Sequence, residues 1–161
     1  MNKGVFVAGV FIGATVAILL GLWGTGSFTL SPEAVSSFEC HTLSEGNERG
    51  LNLVFFGSKE QTQLYADALL AVAPFTTQRN AFNFYYIDSY QPICEYYKGI
   101  ALLCQGKEVI QAASACPVDY IIVLQDAESK MRSSSFSNIL SINTKHAPSV
   151  IAHEFGHAFG D

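Results

Sequence analysis

Positive charge is scarce in this chain. Nine Lys and Arg residues stand against fourteen Asp and Glu residues, which gives a formal net charge of −5, and the basic residues form no cluster. This balance argues against nucleic acid as a partner, because nucleic-acid-binding proteins concentrate positive charge on one surface. The chain also has no internal repeat, and it contains no C-x-x-C pair of the kind that indicates a zinc knuckle or a redox motif.

Charge is missing altogether from a segment near the N-terminus. Residues 4–23 form an uncharged run of twenty, preceded by Lys3. Twenty residues are enough for a helix to span a bilayer, and this length favours an uncleaved signal anchor. The small residues at 24–27 would also suit cleavage of a signal peptide. Lys3 before the run, with Glu33 and Glu39 after it, predicts that the N-terminus stays inside and the bulk of the chain lies outside.

These features divide the chain into three predicted parts. Residues 1–27 are a signal anchor or signal peptide, residues 28–37 are a Ser-, Thr- and Pro-containing linker, and residues 38–161 are one folded domain. The expected location is therefore extracytoplasmic, either anchored to the membrane or secreted.

Four cysteines, at positions 40, 94, 104 and 116, all follow the apolar segment. An even number of cysteines in an exported domain predicts two disulfide bonds, for which three connectivities are possible. A bond between Cys94 and Cys104 would close a short loop, but the spacing does not select among the three.

The hydrophobic pattern of the folded part alternates between strands and helices. Strands are predicted over 51–56, 81–87, 120–124 and 136–143, and helices over 59–72 and 106–115. The first helix is expected to bury Leu64, Ala68, Leu69 and Val72. This order predicts a mixed α/β (α+β) domain with helices packed against a twisted sheet.

The most specific pattern is in the last nine residues, His-Glu-Phe-Gly-His-Ala-Phe-Gly-Asp, which contain H-E-x-x-H-x-x-G. On a helix, positions i and i+4 share a face, so His153 and His157 can bind one metal ion. Glu154 lies beside them, where it can act on a water molecule. Pro148 suits the first turn of such a helix, and Gly160 allows a sharp turn out of it. The alternative is a buried helix with two incidental histidines.

Catalytic zinc takes three protein ligands and keeps a fourth position for water. We therefore predict His153 and His157 as Zn²⁺ ligands and Glu154 as the general base of a zinc metallopeptidase. The third ligand of this pattern is expected at position 163, or on a later helix, or at Asp161 if the chain turns at Gly160. The domain is thus expected to be incomplete at its C-terminus.

With Tyr-Ile-Ile-Val-Leu-Gln-Asp at 120–126, a serine-rich loop and then the H-E-x-x-H motif, the chain resembles the IgA-peptidase-like zinc metallopeptidases, and more loosely the metzincin-like enzymes. The resemblance covers about residues 50–161. It implies a zincin-like fold with the active-site helix at the C-terminus, zinc as cofactor, and a protein or peptide as substrate. In such enzymes an edge strand before the motif helix pairs with the substrate backbone, and 136–143 is the candidate, although an ordinary sheet strand fits equally well.

Two other functions remain open. The chain could be a catalytically inactive or truncated membrane-anchored binding domain that lacks the third zinc ligand, or a disulfide-stabilised surface protein with a coincidental motif. The other two histidines, His41 and His146, are interpreted as structural or solvent-exposed.

Overall fold

The computed structural model describes residues 38–160. The predicted anchor, the linker and Asp161 lie outside this range. The strands are β1 (His41–Ser44), β2 (Leu51–Phe56), β3 (Phe82–Ile87), β4 (Glu95–Tyr97), β5 (Ala101–Leu103), β6 (Tyr120–Gln125), β7 (Ser134–Phe136) and β8 (Ile139–Asn143). The α-helices are α1 (Lys59–Leu70), α2 (Lys107–Ala113) and α3 (Val150–Gly160), and two short 3-10 turns, Phe75–Thr77 and Arg79–Ala81, precede β3. Between residues 38 and 160, no helix combines the length and the apolar character needed to cross a bilayer.

Six of the strands form one mixed sheet in the order β1-β3-β2-β6-β8-β7. The four inner strands β3, β2, β6 and β8 run parallel, and the edge strands β1 and β7 are antiparallel to their neighbours. The remaining strands, β4 and β5, pair as a separate antiparallel hairpin. The predicted mixed α/β architecture is confirmed.

Helices cover both faces of the sheet, which explains why the inner strands are apolar at most positions. In β2, Val54 and Phe56 face one hydrophobic core, and Leu53 and Phe55 face the other. The first core is closed by α2, and the second by α1 and α3.

The first helix begins where a capping box forms. The Ser58 hydroxyl accepts a hydrogen bond from the Gln61 backbone N–H at 3.3 Å, and the Gln61 side-chain oxygen accepts one from the Ser58 N–H at 3.2 Å. The helix ends at Leu70, two residues before its predicted end, and the predicted buried face was partly wrong. Leu64 and Val72 are 53% and 38% exposed, because Tyr65, Ala66, Leu69 and Leu70 face the sheet instead.

The predicted strand over 136–143 is confirmed over 139–143, but the segment is not a single strand. It is two antiparallel strands, β7 and β8, joined by a tight turn at Ser137 and Asn138, where Ser137 has a φ of 54°. Ser and Asn are residue types that favour turns, and β8 then pairs on both sides, with β6 and with β7. The edge of the sheet next to the motif helix therefore belongs to β7. The short strands β1, β4 and β5 were not predicted.

Both predicted disulfide bonds are present, as Cys40–Cys116 and Cys94–Cys104. The first joins the segment before β1 to the chain after α2, and the second closes the β4–β5 hairpin. Disulfide bonds of this kind indicate an oxidising, extracytoplasmic environment.

Candidate metal centre

Helix α3 is held against the sheet by one apolar face. Ile151 and Phe155 are fully buried. The Phe155 ring meets Tyr120, Phe75 and Phe82 edge-on, with ring centroids 5.0, 5.4 and 6.1 Å apart. This packing sets the rotation of the helix about its axis, so the residues on its other face are placed by the core.

The two motif histidines project together from the exposed side of α3. Their Nε2 atoms are 3.3 Å apart, and their ring centroids are 4.7 Å apart. With Zn–N bonds of about 2.0–2.1 Å, two ligands of a tetrahedral zinc ion are about 3.3–3.4 Å apart. The spacing therefore fits two corners of a zinc site. It also fits an N–H···N hydrogen bond between the two rings in the absence of metal.

Glu154 follows His153 on α3 and lines the same hollow as the two histidines. Its side chain is buried, with 8% of the residue exposed. Burial raises the pKa of the Glu154 carboxyl, while His153, His157 and Arg132 lower it in part. A carboxylate with a raised pKa accepts a proton more readily than an exposed glutamate does, as a general base requires.

The three motif side chains open into a hollow of about 610 Å³. Its other wall is the segment 132–135, which leads into β7, and His146 closes it on the side of the loop before α3. A larger hollow of about 1000 Å³ lies between α2 and the end of β7, but neither motif histidine lines it. The smaller hollow is therefore the candidate site.

The wall opposite the helix is fixed by a residue that the sequence pattern did not single out. Asn143, at the end of β8, is fully buried. Its side-chain nitrogen donates to the carbonyl oxygens of Glu128 at 2.9 Å and Met131 at 2.7 Å. Its side-chain oxygen accepts from the backbone N–H of Ala127 at 3.3 Å, and its own N–H donates to the Ser133 hydroxyl at 3.0 Å. The sequence signal that could have identified Asn143 is a polar residue at the end of a largely apolar strand.

Two further residues at the hollow were not predicted as part of a site. Arg132 lines the hollow from the wall segment, and its charge acts on Glu154. His146 lies at the rim with its Nε2 2.9 Å from the carbonyl oxygen of Ser129, which agrees with a structural role for that ring. His41 stacks on Tyr86 on β3, with ring centroids 4.9 Å apart, at the opposite edge of the sheet.

Among residues 38–160, no group of three His, Cys, Asp or Glu side chains is arranged to hold a metal ion. The described part of the chain thus provides two candidate histidine ligands and a candidate base. Asp161, the acidic residue predicted as one possible third ligand, lies outside the described residues.

Comparison of the sequence with protein-family models and with curated proteins finds no match. The interpretation of the site therefore depends on its own geometry.

Proposed function

We propose that the chain is a zinc-dependent metalloendopeptidase that hydrolyses peptide bonds outside the cytoplasm. The observation that carries this proposal is the placement of His153 and His157, with Nε2 atoms 3.3 Å apart, beside a buried glutamate in one hollow. The two disulfide bonds support an extracytoplasmic site of action, and residues 4–23 would provide the membrane anchor.

The roles of the residues follow from their chemistry. His153 and His157 would hold Zn²⁺ through Nε2. When bound, the metal would lower the pKa of a water molecule and polarise the substrate carbonyl. Glu154 would accept the proton of the attacking water and deliver it to the nitrogen of the leaving amine. Its burial supports this role because it raises the pKa of the carboxyl, which makes the carboxylate a better proton acceptor.

A zincin-like fold is part of the proposal. The parallel sheet, its antiparallel edge strand β7 and the motif helix α3 packed beside it support this assignment. In place of the strand expected at 136–143, β7 becomes the candidate partner for an extended substrate, since Ser134 and Ser135 line the hollow.

Zinc binding tests the ligand assignment, by titration calorimetry on the full 161-residue chain. His153→Ala or His157→Ala should weaken zinc binding by more than about 100-fold, because losing a ligand costs more than losing a group that orients one. His146→Ala is the matched control, a histidine of the same hollow that is expected to leave zinc affinity unchanged. Equal effects of all three substitutions would contradict the assignment. Asp161→Asn determines separately whether Asp161 is a third ligand.

Cleavage of unfolded casein tests the reaction. Glu154→Gln should keep zinc affinity within a few-fold of the wild type and abolish cleavage. Retained cleavage in that variant would exclude Glu154 as the general base.

A non-catalytic binding domain is the second candidate. It is favoured by the lack of a three-ligand group among residues 38–160. This candidate predicts that the native chain with added zinc does not cleave casein, and that chelation leaves its thermal unfolding unchanged.

A further inference from the structure

Arg132 is a cation of the candidate site that forms no salt bridge with the described residues, although its charge acts on Glu154 from a distance. Its side chain is exposed and lines the hollow shared by His153, Glu154 and His157. Among residues 38–160, no carboxylate oxygen lies within 4.0 Å of its guanidinium group. Two lysines of the neighbouring loops differ in this respect, because Lys130 pairs with Glu128 at 2.9 Å and Lys145 pairs with Asp126 at 2.9 Å.

The backbone at Arg132 is held on both sides. Its N–H donates to the carbonyl oxygen of Ile100 at 3.0 Å, and its own carbonyl accepts from the Leu102 N–H at 2.9 Å. Its neighbours Met131 and Ser133 are buried. The backbone that carries the guanidinium is therefore fixed beside the hollow, so a ligand would not have to order it.

An exposed arginine that forms no salt bridge is available to bind an anionic group of a ligand. The planar guanidinium binds a carboxylate through two parallel N–H···O bonds, a geometry that lysine cannot provide. A protein of net charge −5 is not a general attractor of anions, so binding of an anion in this hollow would depend on a local cation, and Arg132 is the arginine that lines it.

We propose that Arg132 binds a carboxylate of the substrate, so that the site takes peptides with a free carboxylate close to the bond that is cut. The identification of the ligand as a substrate rests on the proposed peptidase function. A hollow of 610 Å³ is about 10 Å across, the length of about three extended residues, so the carboxylate lies within about three residues of the cleaved bond. It is either the C-terminal carboxylate or the side chain of an Asp or Glu.

Peptide retention tests the proposal without requiring turnover. The probes are peptic peptides of casein, one half untreated and the other half with all carboxylates converted to methyl esters. Both halves are passed, with zinc in the buffer, over the immobilised full chain carrying Glu154→Gln, and retained peptides are identified by mass spectrometry. The untreated half should be retained about 10- to 100-fold better, the range expected for a charge-assisted pair.

Adding Arg132→Gln should abolish this preference, and Arg132→Lys should restore it only in part. Lys130→Gln is the matched control, since it removes one positive charge two residues away and should leave the preference intact. Retention of peptides without Asp or Glu identifies the C-terminal carboxylate as the source, and retention confined to peptides with Asp or Glu identifies the side chain. Thermal unfolding of each variant verifies that it is folded.

Equal retention of the two halves, no effect of Arg132→Gln, or no retention at all would overturn the proposal. Its failure is distinguishable from failure of the peptidase function. If the native chain cleaves the esterified peptides as fast as the untreated ones, the chain is a peptidase whose specificity does not depend on Arg132. Arg132-dependent retention without any cleavage by the native chain would instead leave a carboxylate-binding domain.

Discussion

Substituting Asn143 by Ala tests whether one buried amide holds the wall of the candidate site. The Asn143 side chain makes four hydrogen bonds, two as donor to the carbonyl oxygens of Glu128 and Met131 and two as acceptor from the N–H groups of Ala127 and Lys145. A net hydrogen bond contributes about 0.5–1.5 kcal/mol, and a buried partner left unpaired costs about 1–3 kcal/mol. Some of the freed loop groups can reach water, so we expect a loss of about 3–5 kcal/mol.

The free energy of unfolding is measured by urea titration of wild type and variant, with the disulfide bonds intact. Asn138→Ala is the matched control, because the exposed Asn138 makes a single side-chain hydrogen bond, to the carbonyl oxygen of Asp119 at 2.9 Å. It should cost about 1 kcal/mol or less. A loss below about 1 kcal/mol for Asn143→Ala, or equal losses for both variants, would refute the argument that Asn143 organises the loop.

Two further predictions concern stability. Because burial raises the pKa of Glu154 in the folded state, its ionisation opposes folding as the pH rises above the ordinary glutamate value. In metal-free protein, Glu154→Gln should therefore have a higher Tm than wild type at pH 7. The difference in Tm should be smaller at pH 4, and an equal difference at both pH values would contradict this prediction. In the chain-entropy account, a disulfide bond that closes a loop of 76 residues stabilises the fold by about 4.5 kcal/mol, and one that closes a loop of 10 residues by about 2.7 kcal/mol. Replacing Cys40 and Cys116 by Ser should thus destabilise the domain more than replacing Cys94 and Cys104, as urea titration would show, and the reverse order would exclude loop length as the dominant factor.

The inner strands were the most predictable elements of the fold. The strand predicted at 51–56 is confirmed as β2 without any shift, and those predicted at 81–87 and 120–124 differ from β3 and β6 by one residue at one end. These runs are apolar at almost every position, because helices cover both faces of the sheet and no position can be polar without a buried partner.

Elements near the surface were harder to predict. Leu64 suggested the wrong face of α1, since a single exposed leucine costs little and periodicity counts it as a core residue. The turn at Ser137 was missed because the apolar residues on either side continue one pattern through it. The hairpin β4–β5 has strands of only three residues each, too short for an alternation of hydrophobicity to be visible.

The sequence by itself determined which residues can carry the proposed chemistry. The spacing of His153 and His157 places two imidazoles on one face of any helix they share, and Glu154 is next to the first of them. Three of the buried core strands were likewise readable from the sequence, because burial on two faces favours runs that are apolar at most positions. These features are local, so they do not depend on how the rest of the chain is arranged.

The tertiary structure decided what surrounds that face. Arg132 is separated from Glu154 by 22 positions in the chain, and it reaches the same hollow because β8 returns alongside β7 and α3 then packs across both strands. The disulfide pairing and the hydrogen bonds of Asn143 were decided in the same way. Each depends on which distant segments the sheet order brings together, and hydrophobic patterning does not encode that order.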